Sequence, residues 1–528
     1  MRRALQLGLV TLMAASSASA SAQDRPKVIY TPIVLTGQGA PGPLGGSFRS
    51  FPYHSVINDA DQIVFLGSMG DPWEPQGLFL AGDDDVEHVA HRGQPAPGFP
   101  SGVEIQSFDI NYHRANNKGQ VVFESTLVGP GIDETGVDDS NAFANWFWSD
   151  GELQFVAQFQ TPAPGTNARF RTFARTTVND LGHVAFAGDL VGDGVSPGND
   201  NAMWYGPPDD IRLLAREGSP GPGGVRFGGM EGLDFPYLAA NGQMAFTTGL
   251  VGGGKALFAG TADDLQLVAK SGDTVPETDI QYNRIEGWGV PPRVNNKGDV
   301  VFVSTFSDGS RGILTGAPGK VELVARTGEP APGLGDAKFD FFHDYGINDK
   351  EEIAFRAETK IEGVEELGSA IYTGKPNQLE LIAADGQHAP GTEGDVFFWY
   401  FHDPVINRDG QVAFFATLRG PDARGESDYG LFATGHEGDL RLIARYGDQF
   451  EVAPGDMRTI DALSHAGVHG THIVTFNEDS DLAMLVRFTD GSEGIFTARV
   501  LPEPTSLVLC LIALAVGARL RRTKASHS

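Results

Sequence analysis

The chain has one cysteine, Cys510, in 528 residues. No intrachain disulfide can form, so stability must come from burial and strand pairing. Positive charge is scarce: 39 Lys and Arg stand against 68 Asp and Glu, giving a formal net charge of −29. That sign argues against a nucleic-acid partner, which basic side chains would have to meet. Long helices are excluded by 69 Gly and 32 Pro spread along the whole chain. Disorder is excluded in turn, because 34 Phe and an aromatic share of 10% supply ample material for a core.

What is present is a repeat. The pattern Asn-x-x-Gly-x-[Val/Ile/Met]-[Ala/Val]-Phe returns at Asn116–Phe123, Asn179–Phe186, Asn295–Phe302 and Asn407–Phe414. Weaker copies are Asn58–Phe65, with Asp61 in place of Gly, and Asn348–Phe355, with Glu351 there. Ala239–Phe246 has lost the Asn, and Asn477–Met484 has lost Gly and Phe. Eight copies at a mean spacing of about 60 residues identify one repeat array. Most copies are followed by a short Gly-Leu-Phe strand, then a Leu-Val-Ala strand, then a Gly-rich turn such as Ala331-Pro332-Gly333 or Ala389-Pro390-Gly391.

Asn first and Gly fourth suit a type I turn followed by a residue of awkward backbone geometry. Alternating apolar residues follow, as in a strand. The turn therefore joins two strands, d and a. The Gly-Leu-Phe strand is b and the Leu-Val-Ala strand is c. Four antiparallel strands per unit make a propeller blade. The body begins at Val28–Leu35 with a c strand that has no a or b before it, and it ends at Val500 with a unit that has no c. Pairing the two closes a ring and hides two sheet edges. The expectation is an all-β, single-domain propeller of eight four-stranded blades within residues 23–500, with d innermost. Seven blades, or two stacked sheets, are the rival architectures.

The two ends read as addresses. Residues 1–22 have the layout of a secretory signal peptide: Arg2 and Arg3, an apolar run from Leu5 to Ala15, and small residues before a cleavage between Ala22 and Gln23. Residues 501–528 hold Pro502-Glu503-Pro504, an apolar run over 505–518, and then Arg519, Arg521 and Arg522. The run falls short of the ~20 residues of a spanning helix, and the basic flank would stay on the cytoplasmic side. A plain tail anchor is the other reading. This order of parts resembles the PEP-CTERM sorting signal of exopolysaccharide-producing Gram-negative bacteria. The resemblance implies recognition of Pro502, Glu503 and Pro504 by an exosortase, a membrane cysteine transpeptidase, with the arginines as the stop. The body resembles bacterial surface proteins with tandem NxxGxxAF repeats and varied C-terminal anchors, a group with no assigned activity. Its repeat turns would be Asn58, Asn116, Gly119, Asn179, Gly182, Asn295, Gly298, Asn348, Asn407 and Gly410.

Chemistry is harder to find. The sequence has no G-x-S-x-G elbow, H-E-x-x-H motif, P-loop or complete EF-hand loop. His54, His113, His343 and His402 each follow an aromatic near a d–a turn, where an innermost d strand would gather them at the channel mouth. The alternative is a repeated structural role. His465, His469 and His472 have metal-ligand spacing but no accompanying carboxylate. Acidic turns at Asp83–Asp85, Asp138–Asp139 and Asn199–Asn201 have the oxygen chemistry for structural calcium, or are simply solvated loops. No catalytic residue, resident cofactor or metal ligand is assigned. The expected product is an exported surface or matrix propeller, handled by signal peptidase and exosortase, that binds extracellular polysaccharide or a surface protein or plays a structural part there. The alternative is a secreted polysaccharide lyase or hydrolase using the His positions at the mouth.

Overall fold

The computed structural model describes residues 28–500 except 53–54, 72–73, 75, 83–84, 136–139, 230–235, 288–289, 365–366, 426–427 and 465–475. Both terminal signals lie outside the described residues, as do His54, His465, His469, His472 and the acidic pairs 83–84 and 138–139.

Eight antiparallel sheets follow one another along the chain and form an eight-bladed β-propeller. Blade 2 shows the plan: d is Glu104–Ala115, a is Val121–Val128, b is Phe143–Ser149 and c is Glu152–Gln158. The spatial order within it is d-a-b-c. Blade 1 spans 55–91, and blades 3 to 7 span 169–216, 237–270, 282–326, 338–384 and 397–445. Blade 8 is composite. Its d, a and b strands are Asp456–Ser464, Asp481–Phe488 and Glu493–Val500, and Val28–Leu35 supplies c. Val28 pairs with Val500 and Leu35 with Gly494, so the two ends of the body close the ring. An extra strand, Gln449–Ala453, extends blade 8 beyond d.

The blades hold together through their faces. Among the described residues the buried apolar side chains fall into eight clusters, each drawn from two consecutive blades. The last joins Val34, Ala483 and Ile495 of blade 8 to Phe48, Phe65 and Phe79 of blade 1. The Phe that ends each repeat pattern is at the heart of these clusters: Phe65, Phe123, Phe186, Phe246, Phe302, Phe355 and Phe414 are all buried, with Met484 replacing it in blade 8. Full burial of such a side chain stabilises by roughly 1.5–3 kcal/mol.

The d–a turns have one geometry. In blade 2 the Gly119 amide donates to the Asn116 carbonyl at 3.0 Å, and the Asn116 amide donates to Gln120 at 3.0 Å. The fourth position is left-handed in all eight copies, with φ of 58° at Asp61, 65° at Glu351 and 71° at Ser480 beside 74° at Gly119. The degenerate copies therefore keep the turn and carry the strain that Gly avoids. Asn116 Oδ1 accepts from the amides of Lys118 and Gln120, while Asn116 Nδ2 donates to the Asn179 carbonyl of the next blade at 2.7 Å. The same step runs from Asn58 to Asn116, Asn295 to Asn348, Asn348 to Asn407, Asn407 to Asn477 and Asn477 back to Asn58. Asp could accept locally but could not donate across. Blade 4, which has Ala239, is bridged otherwise: the Asp180 amide donates to the Ala240 carbonyl, and Asn241 Nδ2 donates to the Asn296 carbonyl.

The d strands are less regular than the sequence suggests. In blade 7 the d strand is two pieces, Phe397–Phe401 and Val405–Ile406. Pro404 lies between them and has no amide hydrogen for the ladder. In blade 5, Pro291 and Pro292 lie in the matching break, between Tyr282–Ile285 and Arg293–Val294.

Candidate ligand-binding channel

The d strands line a central cavity of about 220 Å³. Its wall includes Val56, Arg114, Thr177, Tyr237 and Arg293, each two residues before the first position of a repeat turn, together with Arg175. This places d innermost, as expected. The d–a turns, linked by the Asn bonds, stand at one end. The other halves of the d strands lead to the opposite mouth.

At that mouth each of six d strands slips register by one residue: between Ile105 and Ser107, Phe170 and Thr172, Tyr282 and Arg284, Phe339 and Phe341, Phe398 and Tyr400, and Ile460 and Ala462. A bulge of this kind re-aims side chains that a regular pleat would alternate. Most of these positions carry polar or small residues. Blade 7 carries Trp399 and Tyr400, 51% and 44% exposed, and Tyr429 on strand b is 37% exposed. The His402 ring lies 5.5 Å from Tyr400 and 6.1 Å from Tyr429, joining the three into one aromatic surface.

A buried polar belt runs from this surface into the channel. Arg356 stands 5.1 Å over the Tyr400 ring, and its Nε donates to Asp403 Oδ1 at 3.4 Å. Asp344 is buried beside them. Burial, then the neighbouring Asp403 carboxylate, pushes its pKa up to about 9, against the pull of Arg293 and Arg356. The Asp344–Asp403 pair therefore favours holding a proton. His343 Nε2 bonds Glu358 at 2.8 Å, and its ring lies 4.7 Å from Phe341, over which Arg311 stands at 4.0 Å. Burial, and then the nearby Arg356 charge, lower the His343 pKa and favour the neutral ring.

The three of the four histidines that lie among the described residues, His113, His343 and His402, are distributed unevenly. His343 and His402 occupy matching positions in adjacent blades, each followed by an aspartate, Asp344 and Asp403. His113 is buried in blade 2, paired in register with Phe123, away from that arc. Sequence reasoning missed Asp344, Asp403, Arg356, Arg293, Trp399 and Tyr400. One signal was available: Phe-His-Asp occurs twice, at 342–344 and 401–403. Among the described residues no group of three His, Cys, Asp or Glu is placed to hold a metal ion. The Asn199–Asn201 turn bonds internally: Asn199 Oδ1 accepts from the Ser196 amide, and Asn201 Nδ2 donates to Asp189.

One family model matches the chain three times, over residues 15–136, 132–311 and 229–508, nearly its whole length. The chain belongs to DUF7453, a family of unknown function. No curated protein matches it. Similar solved structures include an oligogalacturonate lyase in complex with manganese, at 10% identity and a TM-score of 0.36, covering 91% of this chain and 98% of that one. The WD40 domain of SCAP from fission yeast is similar at 10% identity and a TM-score of 0.37, covering 92% and 97%. The Dos1 propeller is similar at 9% identity and 0.40, covering 85% and 94%.

Proposed function

We propose that this member of DUF7453 is an exported, surface-sorted binding module that holds a glycan of the extracellular polysaccharide across the blade 7 side of the channel mouth. The observation that carries this reading is the aromatic surface of Tyr400, His402 and Tyr429, with the exposed Trp399 next to Tyr400 in the chain. Large exposed rings grouped on one blade are unusual on a protein surface and mark interaction sites. Flat rings of this kind offer stacking area for the C–H faces of sugars, and Arg356 and Asp403 beside them offer hydrogen bonds to hydroxyls. The addresses at the two ends support the same reading. The signal-peptide layout implies export through signal peptidase, and the Pro502-Glu503-Pro504 tail implies exosortase sorting in an exopolysaccharide-producing cell.

The test is a glycan array read with wild-type protein and with Trp399→Ala and Tyr400→Ala. Saturable binding to one glycan class is expected, weakened at least tenfold by either change. Both positions are exposed, so folding stability should move by no more than about 0.5 kcal/mol. Binding that ignores both substitutions would remove the mouth from consideration.

A second reading, a polysaccharide lyase or hydrolase, is favoured by one feature: Asp344 is a buried carboxyl whose pKa is pushed up beside Asp403 and Arg356, the direction a general acid requires. Turnover of the bound glycan, abolished in Asp344→Asn with binding retained, would support it.

A further inference from the structure

Arg293 is the least explained charge in the molecule. It is 95% buried on the d strand of blade 5. Its guanidinium stands 4.8 Å over the Tyr237 ring of blade 4. Among the described residues it makes no hydrogen bond and no ion pair. A guanidinium has five N–H donors and does not give up its charge. Burying one without an acceptor is costly, and a protein normally provides a carboxylate or carbonyls to meet it. The other buried arginines have them: Arg445 pairs with Asp428, and Arg356 with Asp403. The donors of Arg293 have instead the channel cavity, which its side chain lines.

The rest of that cavity has the same sign. Arg114 and Arg175 line it too, against the carboxylates of Asp59 and Asp180. Those two carboxylates are engaged in the turn ring. Asp180 accepts from the Asn117 amide and Nδ2, and Asp59 accepts from the Glu478 amide and from Asn117 Nδ2. In a protein with a net charge of −29, three arginines thus line one half-open cavity among the d strands. Like charges in a low-dielectric cavity repel, and an anion among them relieves that repulsion while supplying acceptors.

We propose that the channel holds one small oxyanion, a carboxylate, phosphate or sulfate group, on Arg293, with Arg114 and Arg175 lining the same cavity. The volume sets the size. A cavity of about 220 Å³ accommodates an inorganic oxyanion or the acid group of a single sugar. The site is separate from the exposed rings at the mouth, and the buried Asp344 carboxyl, on which both Arg293 and Arg356 act, lies between them.

The experiment uses the full chain at constant ionic strength, with chloride as the balancing anion. Calorimetric titration and thermal melting are read against inorganic phosphate, inorganic sulfate and sodium glucuronate. One saturable site per chain is expected, with the melting temperature rising as the anion saturates it. Arg293→Gln should weaken binding at least tenfold, and Arg293→Lys, which keeps the charge but not the fork, by less. Binding of phosphate or sulfate alone would identify a free inorganic ion as the occupant, and binding of glucuronate would extend the site to sugar acids. Trp399→Ala should leave these affinities unchanged, so failure of the glycan reading is separable from failure of this one. If Arg293→Gln does not fold, Arg114→Gln is judged by the same tenfold criterion. Absence of saturable binding to wild-type protein, or a folded variant that binds like wild type, would overturn the proposal and leave the channel filled by water.

Discussion

The two ends of the d strands are built from the same repeat and have diverged in opposite ways. At the turn end, eight copies share one backbone conformation, and six of the Asn side chains pass a hydrogen bond to the next blade. At the mouth end, the matching bulge positions hold Ser107, Thr172, Arg284, Phe341, Tyr400 and Ala462, with no common chemistry. A shared geometric task keeps residues alike, because each turn must both fold locally and reach its neighbour. A surface with no such task is free to specialise. The contrast teaches where to look for function in a repeat protein: at positions where the repeat stops dictating the residue.

The sharpest way to break that contrast is to alter one member of the turn ring. Asn116→Asp keeps the local acceptor but loses the donor to the Asn179 carbonyl, and it sets a buried carboxylate against that carbonyl and Gln120 Oε1. Asn116 is 4% exposed, so water offers little relief. A loss of about 2–4 kcal/mol is expected by denaturant titration. Trp399→Ala at the mouth should change the same measurement hardly at all.

The next effect lies between the two ends and depends on pH. Glu124 follows the repeat Phe in blade 2 and accepts from the Thr176 amide at 2.9 Å and the Thr176 hydroxyl at 3.1 Å, both in blade 3. Burial raises its pKa to about 7, and this outweighs the backbone hydrogen bond from Thr176 that lowers it. Unfolded, it titrates near 4.5. The folded state thus binds the proton more tightly. Its contribution is intact below pH 4.5 and declines as pH rises through about 7, by ~3 kcal/mol at the outside. Glu124→Gln should flatten that part of the stability–pH curve. An unchanged curve would mean that Thr176 stabilises the carboxylate fully.

These two cases also show what the sequence could convey. The turn was legible because Asn and Gly answer to backbone rules that act within four residues. Ring closure was legible because a spare c strand at Val28–Leu35 matched a missing one after Val500. The donor half of Asn116 was not, since its acceptor lies in another blade. Nor was the mouth. Trp399 and Tyr400 read as ordinary strand aromatics until a one-residue slip turns them outward. Arg356 and Asp403 meet only through the packing of blade 6 against blade 7, and Arg293 draws attention only by the partners it lacks.

The smallest effect tests whether the turn ring tolerates its degenerate copies at a cost. Glu351 has φ of 65° where its counterparts are mostly Gly. A non-Gly residue there costs roughly 1 kcal/mol. The Glu351 side chain pairs with Lys297 at 3.0 Å, with both about half exposed, a contact worth little. Glu351→Gly should therefore stabilise by about 0.5–1 kcal/mol, net of the lost pair and the added chain entropy. Gly119→Ala should destabilise by a similar amount, since its left-handed backbone is the same and the added Cβ would approach Gln62 at 3.0 Å. Equal and opposite shifts would show that one backbone conformation governs all eight turns whatever residue occupies them. Two destabilising changes would instead mean that the Lys297 bridge between blades 5 and 6 replaces what the missing glycine gives elsewhere.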